Sequence, residues 1–281
     1  TLDTISPIVK NMKFSKLPCP TSHFNVRFYD WEKYRYSIQI ADTNKVLQKQ
    51  NAYLQWEQGS GKTISGLAQI KYRQAHNSLF KSVIIGPSIA IEGTWKDMLK
   101  INGFKNLDIK TLNDVNNIAS SNFDTVTINF YYLNKYKKQI KKQFKNKKIF
   151  FILDEADNCS NNDSVRTKAT LDVFRKSKYK CIMSGTSVRN NIPEFFPQLE
   201  LMYNNSVLMM DRCAYIYKED PKDKEIKRTQ NKNFNKPFRP FKKGHLEFRR
   251  CFNPSRATVF GVTRQNQEIY NSNQLADILD Y

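Results

Sequence analysis

Short runs of uninterrupted apolar residues alternate along this chain with stretches in which apolar positions recur every three or four residues. "AYLQW" (Ala52 to Trp56), "SVIIGP" (Ser82 to Pro87), "TVTINFYYL" (Thr125 to Leu133), "IFFIL" (Ile149 to Leu153) and "KCIMSGT" (Lys180 to Thr186) read as strands. The continuous apolar character of "IFFIL" is that of a central strand buried on both faces of a parallel sheet. Between the strands, "KTISGLAQIKYRQA" places Ile64, Leu67, Ala68 and Ile70 at helical spacing. Leu133, Tyr136, Ile140 and Phe144 form one apolar stripe on a helix predicted within Asn134 to Lys148, a segment with eight lysines and no acid. Strands alternating with helices predict an α/β fold with a doubly wound parallel sheet. No internal repeat is visible.

Past Asn205 the texture changes. From Lys218 to Arg256, thirteen Lys/Arg face five acids, with phenylalanine and proline interleaved in "NFNKPFRPFKKG". This reads as a basic, irregular or helical appendage whose aromatics either pin it to a core, the preferred reading, or stack on bases. The expected organisation is an N-terminal segment over 1–45, an α/β lobe over 46–205 and the appendage over 206–281.

Composition sharpens the picture. The 281 residues carry 46 Lys+Arg against 26 Asp+Glu, a formal net charge of +20, which favours polyanionic partners, nucleic acid foremost. Five cysteines lie far apart, with no C-x-x-C pair or Cys/His cluster, so neither a zinc site nor a disulfide framework is expected and a reducing, intracellular setting is. No run of 18 apolar residues and no signal-peptide pattern is present, and no membrane partner is expected. The first residue is Thr1, consistent with a processed chain or a piece of a larger one.

The candidate chemistry begins at "WEQGSGKT", Trp56 to Thr63, between a strand and a helix. A glycine-rich loop there lets backbone N–H groups converge on phosphate oxygens, with the helix N-terminus adding its dipole. Gln58, Gly59, Ser60, Gly61, Lys62 and Thr63 are the predicted nucleotide-binding residues, Lys62 reaching the β- and γ-phosphates and Thr63 a Mg²⁺ ion. Trp56, where a glycine usually stands, is expected to pack beneath the loop as strand-end core and not to stack on a base. A carboxylate must follow a neighbouring strand, and "IFFILDEAD" supplies Asp154 for the metal and Glu155 as general base for the attacking water. Asp154 stands 92 residues beyond Lys62. Ser184, Gly185 and Thr186 follow the next strand and are expected to couple nucleotide state to other loops.

With these motifs in order, the chain resembles the first RecA-like lobe of a superfamily 2 helicase/translocase, of the Swi/Snf type. That branch typically writes its phosphate loop "DEMGLGKT", without the leading glycine, and Glu57 to Thr63 match it in order. "IIGPSIAIEGTWKDML" is similar to motif Ia through Pro87, Ser88 and Trp95, and "VTINFYYL" to motif Ib. "MSGTSVRNNIPEFFPQL" (Met183 to Leu199) is close to the branch's "LTGTPIQNNLEELWSLL", and "VFGVTRQNQEI" (Val259 to Ile269) weakly resembles the stretch that leaves the first lobe. "DEAD" is also the spelling of an RNA-helicase family, but that family's "PTREL" and "SAT" positions read "PSIAI" and "SGT" here.

The resemblance implies ATP and Mg²⁺ as cofactors, DNA in preference to RNA as partner, and nucleic-acid contacts by Pro87, Ser88, Asn129 and Tyr131. It also implies a second RecA-like lobe, in a longer chain or a partner subunit, without which this chain binds ATP but turns it over poorly. For the adenine-reading glutamine of "LRPYQ", "VRFYD" fits the frame but offers Asp30, and Gln39 is the poorer positional candidate. Another P-loop motor, such as a viral DNA-packaging ATPase, and a non-hydrolysing DNA-binding module with a vestigial loop remain the alternatives.

Overall fold

The computed structural model describes residues 39, 41–47, 49–186, 192–204, 212–220, 222–223, 225–235, 244–254, 256–257, 263–264 and 269–279. Asp30, the aromatic stretch 24–36, residues 187–191 of the motif after Met183, and most of the stretch from Val259 lie outside them. Two compact units divide the chain: Thr1–Asn158 with Asp172–Ser187, and Cys159–Leu171 with Val188–Tyr281.

In the first unit, six strands form one all-parallel sheet: β1 (Asn51–Gln55), β2 (Lys81–Gly86), β3 (Asn106–Asp108), β4 (Thr125–Asn129), β5 (Ile149–Leu153) and β6 (Tyr179–Ser184), in the order β1-β6-β5-β2-β4-β3. Every residue of β2, β4, β5 and β6 is buried, as a parallel sheet covered on both faces requires. β6 pairs with both β1 and β5, so the strand latest in sequence separates the phosphate loop's strand from the carboxylate strand.

The helices follow from the same pattern. α1 (Lys62–His76) buries Ile64, Leu67, Ala68 and Ile70. After β2 a π-helical turn, Ala90–Trp95, runs into α2 (Lys96–Ile101), with Trp95 and Leu99 fully buried. α3 (Leu112–Asn116) begins at a capping box of Thr111 and Asp114, which satisfies two otherwise orphaned backbone donors.

The β-rich run from Thr125 is strand for only half its length. It ends at Asn129, whose side chain accepts from the Tyr132 N–H (3.0 Å) and caps α4 (Phe130–Lys135), so the strand-forming aromatics continue as helix. The basic helix is likewise two pieces, α4 and α5 (Lys137–Phe144), broken at Tyr136. Leu133, Ile140 and Phe144 of the predicted stripe are all buried. α6 (Val165–Phe174) precedes β6, and Phe174 stacks on Phe151 at 4.4 Å between centroids.

Two close approaches fix this core. Arg73 is buried with its guanidinium over the rings of Phe150 (4.8 Å) and Tyr179 (4.7 Å), and it donates to the Lys49 carbonyl, tying the approach to β1 onto α1. Gly66 of α1 faces Trp95 and Met183 so closely that a Cβ there would stand 2.8 Å from each side chain.

The second unit is less regular. α7 (Phe196–Tyr203) presents Phe196 to His245 and Phe248 of α8 (Gly244–Phe252), ring centroids 5.5 Å apart in both cases. The segment expected to be irregular carries an antiparallel hairpin of β7 (Tyr215–Glu219) and β8 (Ile226–Gln230). Phe248 and Phe252 of α8 are buried; of the aromatics in the Phe/Pro-interleaved stretch, Phe234 is exposed, and Phe238 and Phe241 lie outside the described residues. Asn271, ahead of α9 (Ser272–Leu279), donates to the carbonyls of Tyr215 and Cys251. Cys159, Cys181, Cys213 and Cys251 are buried and not disulfide-bonded, and no metal-binding cluster of His, Cys, Asp or Glu occurs among the described residues. No described helix is long and apolar enough to cross a membrane.

Because the Gly66 Cβ position is filled on both sides by core side chains, Gly66→Ala is expected to destabilise the fold by about 1–3 kcal/mol as overpacking. Urea unfolding read by circular dichroism checks this as a lowered midpoint at unchanged slope.

Candidate nucleotide site

β1 ends at Gln55 and the chain must turn sharply to enter α1. Gly59 (φ 79°) and Gly61 (φ 90°) supply left-handed backbone that residues with a Cβ adopt only under strain. Gly61 is the N-cap of α1 and offers no side chain to the first-turn N–H groups, which leaves a helix N-terminus suited to phosphate oxygens. Inside this loop the Lys62 ammonium donates to the carbonyls of Trp56 (2.9 Å) and Glu57 (3.1 Å), and the residue is only 7% exposed. Trp56 itself packs against the core cluster around Leu54 and Ile64, in accord with the expectation for it.

Facing the loop, Asp154 and Glu155 follow β5. Asp154 is buried: its Oδ2 accepts from the Trp95 indole N–H (2.7 Å) and its Oδ1 from the Glu155 N–H (3.0 Å). Burial raises its pKa above the ordinary carboxylate value, opposed by these two donors and by the Lys62 charge. Glu155 adopts a left-handed backbone (φ 48°), unusual for a non-glycine residue and found at functional bends. Gln58, Gly61, Lys62, Thr63, Asp154 and Glu155 line one cleft of about 460 Å³, with Pro87 at its edge. The Thr63 hydroxyl and Asp154 carboxylate in that cleft form an all-oxygen donor set, which fits a hard divalent cation such as Mg²⁺.

Ser184, Gly185 and Thr186 come against the loop because β6 lies beside β1. The Ser184 hydroxyl donates to the Thr186 carbonyl (2.7 Å) and accepts from the Thr186 N–H (3.2 Å), closing a small turn. A Cβ at Gly185 would meet the Trp56 carbonyl at 3.6 Å and the Lys62 ammonium at 3.9 Å. Tyr53 of β1 hydrogen-bonds Ser184, and its hydroxyl pKa is pushed well above the ordinary phenol value by burial first and then by the Asp157 carboxylate. Tyr53 thus links the small-residue turn to the acidic segment, a connection with no local sequence signal.

Gln39, the poorer positional candidate for the adenine-reading glutamine, lies beside the phosphate loop. It is 6% exposed, its Nε2 donates to the Ser60 carbonyl, and its Oε1 has no hydrogen-bond partner among the described residues. The glutamine with the poorer positional match is the one that reaches the phosphate loop. Thr43, just beyond it, donates to the Ser65 hydroxyl (2.9 Å) and anchors this stretch on α1.

The residues expected to face nucleic acid follow adjacent strands, since Gly86 and Asn129 are in register. Ser88 is exposed, and Tyr131 is 65% exposed with the Lys135 ammonium 5.9 Å from its ring centroid. Asn129 is buried, its side-chain oxygen engaged in capping α4. Elsewhere on this unit, Lys138, Lys142, Lys145, Arg175 and Lys176 line a basic groove of about 610 Å³ beside the starts of β5 and β6.

A phosphate loop, a strand-end carboxylate pair and a strand inserted between them define a RecA-like P-loop unit. The model of the SNF2-related domain matches residues 30–211, and the chain belongs to that family. Among relatives, the SWI/SNF chromatin-remodeling complex subunit snf22 of Schizosaccharomyces pombe is 28% identical over 159 residues, and the transcription regulatory protein SNF2 of Saccharomyces cerevisiae 26% identical over 159. Each match covers 54% of this chain and 9% of the relative, so the chain corresponds to a small part of those proteins. The fold is similar to the Sulfolobus solfataricus SWI2/SNF2 ATPase core solved in complex with dsDNA, with a TM-score of 0.51 at 18% identity, covering 62% of this chain and 36% of that one.

A carboxyl whose folded pKa is raised destabilises the fold once it ionises, so the cost is absent below the ordinary carboxylate pKa and complete above the raised one. The Asn amide of Asp154→Asn must face one of the two N–H donors and so carries a pH-independent cost. In the absence of divalent metal, the variant's thermal midpoint is nevertheless expected to gain on that of the unsubstituted chain as the pH rises from about 4 to 7. A series of melts in both proteins would show this.

Proposed function

We propose that the first unit is the ATP-binding lobe of a DNA-dependent translocase of the Swi/Snf type. The observation that carries this reading is the convergence of Lys62, Thr63, Asp154 and Glu155 on one cleft, with the Gly185 turn against the phosphate loop. The Lys62 ammonium, held now by two loop carbonyls, exchanges them for phosphate oxygens when nucleotide enters. The first-turn N–H groups of α1 bind the same phosphates. Thr63 and Asp154 would hold Mg²⁺, whose charge would offset that of the phosphates. Glu155 orients and deprotonates the attacking water. Ser184 and Thr186, through Tyr53, report the state of the cleft to neighbouring loops. Gln39, beside the loop with an unpartnered amide oxygen, is the proposed base-reading residue in place of Asp30.

The family membership argues against the packaging-motor and vestigial-loop alternatives. In this class of reaction an arginine from outside the nucleotide lobe typically contributes about 10³–10⁵ in rate, so a second lobe, in a longer chain or a partner, is required for rapid turnover. Duplex DNA is the proposed partner. Its backbone would cross the segments that follow β2 and β4 at Pro87, Ser88 and Tyr131, where shape and phosphates are read and sequence is not.

Two experiments test this. In a protein extended to include the second lobe, Lys62→Ala should abolish DNA-stimulated ATP hydrolysis, and turnover that survived the substitution would refute the role given to Lys62. In the present chain, Ser88→Asp should weaken duplex binding and reduce the salt slope of log K by about one phosphate contact. An unchanged slope in a salt titration by fluorescence anisotropy would remove Ser88 from the interface.

A further inference from the structure

Trp95 lies outside every role assigned above, yet it is built into the site. It is fully buried at the end of the π-helical turn Ala90–Trp95, a helix form often found at functional positions. Its indole N–H is a donor with no acceptor capacity, so burial commits it to a single partner. That partner is Asp154 Oδ2 at 2.7 Å, inside the protein. The far edge of the ring lies against Gly66 of the phosphate-loop helix, where a Cβ would stand 2.8 Å from Cη2. Asp154 Oδ1 is held by the Glu155 N–H, so each carboxylate oxygen has one donor and retains lone-pair capacity for a cation or its water.

We propose that Trp95 is a positioning residue for Asp154: wedged against the phosphate-loop helix, its N–H fixes the carboxylate plane and thereby sets the site's affinity for Mg²⁺. This rests on the reading of the cleft as an ATP–Mg²⁺ site. A free carboxylate at a strand end can rotate about its last side-chain bonds, whereas one gripped on both oxygens is preorganised for the metal, and partners of this kind tune metal affinity as strongly as some ligands do. The arrangement also links metal and phosphate subsites mechanically, because a shift of α1 at Gly66 bears on the indole and through it on Asp154.

The test is calorimetric titration of ATP into the whole chain at a series of Mg²⁺ concentrations and in EDTA. Two substitutions are compared: Trp95→Phe, which removes the N–H and part of the ring, and β-(3-benzothienyl)alanine at position 95, which keeps the bicyclic shape and puts sulfur in place of the N–H. Both should bind ATP in EDTA within about twofold of the unsubstituted chain. The Mg²⁺ concentration giving half of the metal-dependent gain in ATP affinity should rise on the order of 10–100-fold. Asp154→Asn, as reference, should lose the metal-dependent gain altogether. If the phenylalanine variant does not fold, the benzothienyl variant decides alone. A normal Mg²⁺ response in that variant makes Trp95 a core filler and overturns the inference while leaving the site intact. The absence of any Mg²⁺ response in the unsubstituted chain overturns the metal site and the inference with it.

Discussion

The pairing of β6 with both β1 and β5 is the constraint on which the site depends. A parallel sheet carries all its strands' carboxyl ends on one edge, and ligands bind in the crevice beyond that edge. With β6 between them, β1 delivers the phosphate loop and β5 the carboxylates, spaced by one intervening strand. The register sets the levels: Gln55 pairs with Ser184, and Leu153 with Ile182. The small residues after Ser184 therefore rise between the loop and the acids. A Cβ at Gly185 would lie at ordinary van der Waals distance from the Trp56 carbonyl and the Lys62 ammonium, so the turn packs directly against the phosphate loop.

Electrostatics then balances a site assembled before any ligand binds. Asp154 and Lys62 are both nearly excluded from solvent, and each is satisfied by fixed dipoles: the carboxylate by an indole and a backbone N–H, the ammonium by two carbonyls. Burying either charge without such partners would cost several kcal/mol. The ammonium's bonds to loop carbonyls keep the empty phosphate site open in shape while leaving the lysine able to exchange partners. The left-handed backbone of Glu155 turns the chain away from the sheet as soon as β5 ends, which brings its side chain to the cleft lining.

The large positive charge is distributed and not gathered at the nucleotide cleft. Part of it lies along α5 and the segment before β6, where exposed lysines flank the buried anchors Ile140 and Phe144. The hairpin of the second unit is nearly balanced instead, its five Lys/Arg facing four acids, with Lys227 paired to both Asp220 and Asp223. That unit holds its own aromatic cluster around Phe196 and Phe248, so its basic segments are carried on a packed element.

Most of the sheet and the reacting groups were legible in the sequence because their signals are local. Continuous apolar runs declare buried strands; glycines at 59 and 61 declare a tight turn; an Asp–Glu pair after "IFFIL" declares a strand-end carboxylate. Asn129 shows where local reading fails: a β-rich run became helix once a single side chain capped it. Gln39, named only as the poorer glutamine candidate, Tyr53, not named at all, and Trp95, named only within the motif after β2, could not be placed in the site for a different reason. Their partners are Ser60, Ser184 and Asp154, between 21 and 131 residues away, and no periodicity or motif encodes a hydrogen bond across that distance. The sequence by itself determined which chemistry the chain could carry, since phosphate loops and acids are written in consecutive residues. Only the tertiary structure decided which side chains orient that chemistry, because strand order and helix packing bring distant segments within hydrogen-bonding reach.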